Sequence, residues 1–205
     1  MGARSRVSSN LLKALLSRIA SVFKQSESKP KPAPKALPFA GRHFVLDGTN
    51  IALLHGPARP ELRYVVAIAD YLGNNGAKIS CFFDANTPYL FSNSRSEQRV
   101  CFDRLTTESN WAQHFVIVPS GTQADQWILA LAKRKSADVI SNDRFKDRAK
   151  AHRWIWKRRH GMSIVEGRLT LSTLDASIAL LAQPEDYLPF LRTLPTSAEN
   201  AEQAV

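Results

Sequence analysis

Short apolar runs alternate with segments of helical periodicity through most of the chain. The apolar runs predict strands, each ending where a polar or turn residue follows: Phe44–Leu46 with Asp47 at its end, Ala77–Phe83, His114–Val118 and Asp138–Ser141. The helical periodicity predicts helices over 58–74, 95–108 and 124–135, with a further one from about Asp143 to Arg153. Regular alternation of strands and helices indicates an α/β fold with a mainly parallel central sheet.

The last part of this region carries weaker signals. Ser163–Val165 and Arg168–Leu171 are predicted as a fifth strand and an edge piece, and 186–191 as a closing helical turn. The folded domain is therefore predicted over 38–192, with a polar tail over 193–205.

The first 25 residues have no acidic side chain and show apolar residues at helical spacing. This pattern predicts a basic amphipathic helix that is too short and too charged to span a bilayer. Three interpretations stay open: attachment to an anionic membrane surface, organelle targeting, or docking on a protein. Residues 26–37 are rich in Pro and Lys, which predicts an extended linker.

Composition narrows the partners. A formal net charge of +10 and a pI near 9.9 favour an anionic partner, with nucleic acid first and an acidic membrane surface second. Cys81 and Cys101 have apolar neighbours and show no metal-ligand spacing, which favours core packing and an intracellular, most simply cytoplasmic, location. Nothing in the sequence indicates the oligomeric state.

Several acidic residues fall at equivalent places in the predicted sheet. Asp47 and Asp84 end strands, Asp125 opens a helix, and Asp143 and Asp147 follow the fourth strand, where a helix would place them on one face. The carboxyl ends of parallel strands share one edge, so these acids are predicted to converge there. The alternatives are turn formation by Asp47, helix capping by Asp125 or Asp143, and surface pairing of Asp147 with Arg144 or Arg148.

Carboxylates without Cys or His suit a hard cation such as Mg2+, with Mn2+ as a second choice. Such a cation lowers the pKa of a bound water and neutralises charge on a phosphate. A basic protein with an acidic centre therefore fits a metal-dependent nuclease. The run Leu46-Asp47-Gly48-Thr49 also resembles the motif of haloacid dehalogenase-type phosphatases, but Val45 stands where their nucleophilic Asp would be.

Two segments carry a more specific resemblance. Asp47-Gly48-Thr49-Asn50-Ile51-Ala52 and Val139-Ile140-Ser141-Asn142-Asp143-Arg144-Phe145-Lys146-Asp147 resemble the signature segments of the Regnase-like NYN ribonucleases, a branch of the PIN-like nuclease superfamily. Residues 119–128 lie where that family has its middle acidic segment. The resemblance covers roughly residues 42–172.

This resemblance implies a three-layer α/β/α domain that cleaves RNA endonucleolytically with Mg2+. It implies that Asp47, Asp125 and Asp143 hold the metal, that Asn50 fixes the site or contacts the scissile region, and that Asp147 completes the acidic cluster. The family often has two adjacent acids in the middle segment, whereas here Ala124 precedes Asp125. The departure keeps a second hypothesis open, in which a PIN-like domain with weak or no catalysis binds RNA or a protein.

A basic run follows the last acidic segment. Single-stranded or looped RNA is its predicted ligand, and the candidate phosphate-binding residues are Arg144, Arg148, Lys150, Arg153, Lys157, Arg158 and Arg159. Trp154 and Trp156 lie within the run. Base stacking is one interpretation of this pair, but burial in the core is favoured because large aromatic side chains are mostly buried.

Overall fold

Five parallel strands form the central sheet of the computed structural model, which describes residues 36–91, 97–148 and 150–191. The strands are β1 His43–Asp47, β2 Lys78–Phe83, β3 Phe115–Ile117, β4 Asp138–Ile140 and β5 Arg159–His160, in the spatial order β3-β2-β1-β4-β5. Asp47 lies opposite Phe82 of β2, and Leu46 lies opposite Ile140 of β4. β1 is therefore the central strand, with β2 and β3 on one side and β4 and β5 on the other.

Helices cover both faces of this sheet. They are α1 Gly48–Ala52, α2 Leu62–Asn74, α3 Thr87–Leu90, α4 Glu97–Thr107, α5 Ala124–Lys135, α6 Ile155–Arg158 and α7 Leu188–Leu191. Alternate residues of β1 enter two separate apolar clusters: Phe44 and Leu46 pack in the cluster that contains α2, and Val45 packs in the cluster that contains α5. This alternation is the period of two expected of a strand. The three-layer α/β/α arrangement with a mainly parallel sheet is confirmed.

The predicted strands Ser163–Val165 and Arg168–Leu171 are confirmed with the same bounds, but their expected place in the central sheet is wrong. The fifth strand of the central sheet is Arg159–His160, while β6 Ser163–Val165, β7 Arg168–Leu171 and β8 Ala176–Ile178 form a separate antiparallel sheet. Glu166 and Gly167 join β6 to β7 and both have positive φ, 51° and 73°. A two-residue turn of this kind returns the chain at once beside itself, which imposes antiparallel pairing. Inward residues of β7 and β8 then extend the α2 cluster.

The predicted helix from Asp143 to Arg153 is also wrong. Within the described residues of this segment there is one 3-10 turn, Lys146–Arg148, and the next helix begins at Ile155. The Asp143 carboxylate accepts a hydrogen bond from the Phe145 N–H at 2.7 Å, and Phe145 has φ 49°. That conformation interrupts a right-handed helix and turns the Phe145 side chain into the α5 cluster. Asp143 and Asp147 therefore do not share a helix face.

The other predicted elements agree closely with the structure. The predicted α5 is confirmed at both ends, and β2, β3 and β4 agree to within a residue or two. Helix α2 begins at Leu62 rather than at residue 58, since Pro60 disfavours helical backbone in the residue before it. The predicted N-terminal helix, the linker up to residue 35 and the tail lie outside the described residues. Within the described part of the chain, no helix has the length and apolarity needed to cross a membrane.

Candidate active site

The strand order places a crevice at the carboxyl ends of β1 and β4. The chain adds β2 and β3 on one side of β1 and then continues with β4 on the other side. In parallel sheets, ligands bind at such a switch in strand order. Asp47 ends β1 and Ser141 follows β4 at this point.

Asp47 is held tightly by its neighbours. Its residue surface is only 5% exposed, one carboxylate oxygen accepts the Ser141 hydroxyl at 2.7 Å, and the other accepts the Asn50 N–H at 3.2 Å. The second bond makes Asp47 the N-cap of α1. A Cβ at Gly48 would lie 2.4 Å from the Phe83 ring, so only glycine lets α1 pack this closely on β2. The turn interpretation of Asp47 is correct locally, and the same buried carboxylate also binds Ser141 at the end of β4.

Hydrogen bonds connect the two signature segments. Asn50 accepts the Asn142 N–H through its side-chain oxygen at 2.9 Å, and Ser141 accepts the Asp143 N–H through its hydroxyl at 3.0 Å. The Asn142 side chain is bonded in turn to the backbone of Met162, as donor to its carbonyl and acceptor from its N–H. Asn50 therefore anchors the segment that carries Asp143.

Asp125 and Asp143 line an open pocket of about 140 Å³, together with Gln123, Phe145, Lys146, Asp147 and Arg148. Asp125 lies in the first turn of α5, whose N-cap residue Gln123 makes no side-chain capping bond. Arg148 Nε lies 3.8 Å from an Asp125 carboxylate oxygen, and the Arg148 guanidinium also donates to the Gln123 side chain. Arg148 thus pairs with Asp125 rather than with Asp147.

The charges of this site are poorly compensated by the protein. Burial raises the pKa of Asp47 to about 7; the bonds from Ser141 and Asn50 oppose the rise, and the charges of Asp125 and Asp84 add to it. The pKa of Asp125 is also raised, by burial first and then by Asp143, while Arg148 opposes the shift. Carboxylates whose pKa values are raised by burial and by one another at a cleft mark a candidate functional site.

The donor chemistry fits a hard cation, although the protein does not build a complete cage. Within the described residues, no three His, Cys, Asp or Glu side chains come close enough together to form a metal-binding group. Mg2+ usually keeps several waters and binds one or two carboxylates together with substrate phosphates, so it does not need a complete cage. Asp125 and Asp143 share one pocket and supply the oxygen ligands that Mg2+ prefers.

The predicted RNA-binding residues divide into three groups. Arg144, Lys150, Arg153 and Lys157 are exposed, Arg148 lies at the acidic pocket, and Arg158 and Arg159 are half-buried. Arg159 donates to the Ser141 carbonyl at 2.7 Å, so part of its role is to hold the end of β4. Burial of both tryptophans is contradicted, because Trp156 is 64% exposed while Trp154 packs against the α5 cluster.

Three further site residues were not among the predicted ones. Ser141 joins Asp47 to Asp143, and Gln123 and Lys146 line the pocket. Asp84, which the sequence placed among the converging acids, accepts a bond from the first residue of α5. Ser141 had a signal in the sequence, since it is a small polar residue between a buried strand and the Asn142-Asp143 pair. The part played by Gln123 depends on where Arg148 lies, so no local pattern could have shown it.

A fold of this kind with acids at the strand switch defines a PIN-like nuclease domain, and the family match is more specific. Residues 40–172 match the family model of the Zc3h12a-like ribonuclease NYN domain, so the chain belongs to that family. The predicted resemblance is therefore confirmed.

Solved structures agree at the level of fold. The chain is similar to nuclear protein-only RNase P 2 (PRORP2) of Arabidopsis thaliana, with 15% identity and a TM-score of 0.51 over 82% of this chain and 36% of that one. A second structure of PRORP2 from A. thaliana matches with 12% identity and a TM-score of 0.49 over 83% and 37% of the two chains. This chain thus spans little more than a third of the length of PRORP2. No curated protein matches it.

Proposed function

We propose that this NYN domain is a divalent-metal-dependent endoribonuclease that cleaves single-stranded or looped RNA. The observation that carries the proposal is the buried Asp47 carboxylate at the strand switch. It is linked by Ser141 to the segment that carries Asp143, and no ion pair with Lys, Arg or His compensates it among the described residues. A fold that keeps such a charge without a cationic partner gains from a ligand that supplies one.

The residues have distinct roles in this proposal. Asp125 and Asp143 would hold Mg2+ or Mn2+, directly or through water, with Asp47 behind them. The bound cation lowers the pKa of a water and neutralises charge on the phosphate that is cleaved. Asn50 and Ser141 keep Asp143 and Asp47 in register through their hydrogen bonds.

The basic residues near the pocket would bind the RNA backbone. Lys146 and Arg148 line the pocket beside Asp125 and Asp143, where a phosphate would lie close to the acids. Lys150, Arg153 and Lys157 are exposed further along the chain and would neutralise flanking phosphates. Single-stranded or looped RNA is favoured because proteins recognise RNA mostly at unpaired nucleotides.

A second candidate function rests on two observations. Ala124 stands where the family often has an acid, and Arg148 already pairs with Asp125. Both features reduce the charge available to a metal. They favour a domain that binds RNA, or a protein partner, with weak cleavage or none.

The deciding experiment is cleavage of a labelled single-stranded RNA by the purified full chain. It is run with Mg2+, with Mn2+, with EDTA and with the Asp143→Asn variant. We expect metal-dependent cleavage by the wild type, and none by Asp143→Asn despite nearly unchanged RNA affinity and melting temperature. Equal cleavage by the two proteins would contradict the proposed site. RNA binding without cleavage by the wild type would select the second function.

A further inference from the structure

Asp84 directly follows β2 and so lies at the same sheet edge as Asp47. Its backbone N–H donates to the Thr49 hydroxyl at 2.8 Å, and that hydroxyl is also bonded to the hydroxyl of Thr87 at 2.7 Å. Thr49 and Thr87 are both buried. The backbone of Asp84 is therefore anchored to α1, the helix that begins immediately after Asp47.

The Asp84 side chain reaches the other acidic element. One carboxylate oxygen accepts the Ala124 N–H at 3.1 Å, and Ala124 is the first residue of α5. The first N–H groups of a helix have no partner inside the helix, and the N-cap residue Gln123 provides no side-chain bond here. Among the hydrogen bonds of the described residues, the second oxygen of Asp84 has no partner. Asp84 thus joins α1 to the start of α5 and keeps one oxygen available.

Position 124 could not easily carry an acid in this protein. Ala124 is 2% exposed and belongs to the apolar cluster that contains Val45, Phe82 and Ile128. An acidic side chain at position 124 would extend from a Cβ that lies among apolar side chains, and burying its charge there would cost considerable desolvation free energy. Asp84 brings a carboxylate to the backbone of the same residue from a different strand.

We propose that Asp84 replaces the missing neighbouring acid of the middle segment. It positions the α5 start that carries Asp125, and its charge strengthens cation binding at Asp125 and Asp143. The inference rests on the proposed metal-dependent function and deepens it. In support, the charge of Asp84 contributes to the raised pKa values of both Asp47 and Asp125.

Binding of Mn2+ to the full chain without RNA tests this role independently of cleavage. Asp84→Asn keeps an oxygen for the Ala124 N–H but removes the charge, whereas Asp84→Ala removes both. Calorimetric titration should show Mn2+ affinity lowered about 10-fold in Asp84→Asn, in the range found for groups that support a metal site. The melting temperature in EDTA should fall only in Asp84→Ala.

Two further variants make the test specific. Asp175→Asn is the matched control, because it removes the same charge from an exposed residue with φ 51°, a conformation that Asn also adopts. Asp175→Asn should bind Mn2+ as the wild type does. Asp84→Glu retains the charge and should bind Mn2+ more tightly than Asp84→Asn, which keeps the test valid if Asp84→Asn proves unstable.

The possible failures can be told apart with Asp125→Asn. If Asp125→Asn loses Mn2+ binding and Asp84→Asn does not, Asp84 only caps α5, and the inference is wrong while the proposed function stands. If the wild type itself binds no Mn2+, both fall. If Asp175→Asn weakens binding as much as Asp84→Asn, the effect is one of net charge and the inference is overturned.

Discussion

Two aspartates at opposite ends of the central strands differ in whether a cationic side chain pairs with them. Asp138 begins β4 and is paired with Arg42 at 2.7 Å, with the His160 ring 3.5 Å away on its other oxygen. Burial alone would raise the pKa of Asp138, but the nearby His160 ring and the bonds from Arg42 outweigh it and hold the pKa below its usual value. Asp47 ends the neighbouring strand without such partners, and its pKa rises to about 7.

Asp138 is thus an acid whose charge stabilises the fold, whereas the buried charge of Asp47 destabilises it. Arg42 lies just before β1, so the pair with Asp138 joins β1 to β4 at the edge where both strands begin. At the other edge, the same two strands place Asp47 and the Asp143 segment around a crevice. Compensated charge supports folding, whereas uncompensated charge is available to a ligand.

The largest expected effect comes from neutralising Asp47. Asp47→Asn should lower cleavage by about 100-fold, because Asp47 supports the residues that we propose hold the cation. It should also stabilise the metal-free protein above about pH 7, by on the order of 4 kcal/mol, since the buried charge is removed. Chemical unfolding in EDTA and RNA cleavage measure the two effects. If Asp47→Asn were less stable than the wild type and still cleaved RNA, the proposed difference between Asp47 and Asp138 would be wrong.

The pH dependence of that gain follows from the direction of the shift. The folded-state pKa of Asp47 is raised from 3.8 to about 7, so the folded protein binds this proton more tightly than the unfolded chain. Its contribution to stability is therefore lost as pH rises between those values. The stability difference between Asp47→Asn and the wild type should grow over this range and then level off. Burial also lowers the pKa of His43 to about 4, but His43 is present in both proteins and cancels in the difference.

Neutralising Asp138 should have the opposite sign on stability. Asp138→Asn weakens the pair with Arg42, and we expect a loss of about 1 kcal/mol, a small value because solvent screens the half-exposed guanidinium. The lowered pKa of Asp138 means that this contribution is present above its unfolded pKa and is lost as pH falls. Cleavage should be retained. A large loss of cleavage at unchanged stability would show that the two edges are coupled.

The smallest effect concerns exposed lysines at the two edges. Lys150 and Lys157 are exposed and follow the pocket residues in the chain. Lys78 begins β2 and Lys133 lies in the last turn of α5, both exposed and at the opposite end of the strands. Replacing Lys150 and Lys157 by Ala should reduce the salt slope of single-stranded RNA binding by about 1.4, or about 0.7 for each lysine. Replacing Lys78 and Lys133 by Ala, with the same loss of charge, should leave it unchanged. Equal slopes in the two double variants would place the RNA path elsewhere.

The sequence predicted the parts of the fold that depend on local chemistry. Apolar runs ending in Asp47 and Asp84 predicted strands and their polar ends, and the periodicity from Ala124 to Lys135 predicted the whole of α5. The helix after β4 was wrong because Phe145 is drawn into the α5 cluster with a left-handed backbone. The strand Arg159–His160 was missed because two residues show no periodicity, and only pairing with β4 makes them a strand.

By itself, then, the sequence determined which residues lie at the strand ends. It thereby determined which acidic residues are available to the site and to which family the chain belongs. These features depend on periodicity, turn chemistry and motif spacing within short segments. The tertiary structure alone decided which acid is compensated: Arg42 and Asp138 are 96 positions apart, and Ser141 and Asp47 are 94 apart. Burial, strand order and pairing across such distances set the charge state of each carboxylate, because they determine how much water and which partner each one keeps.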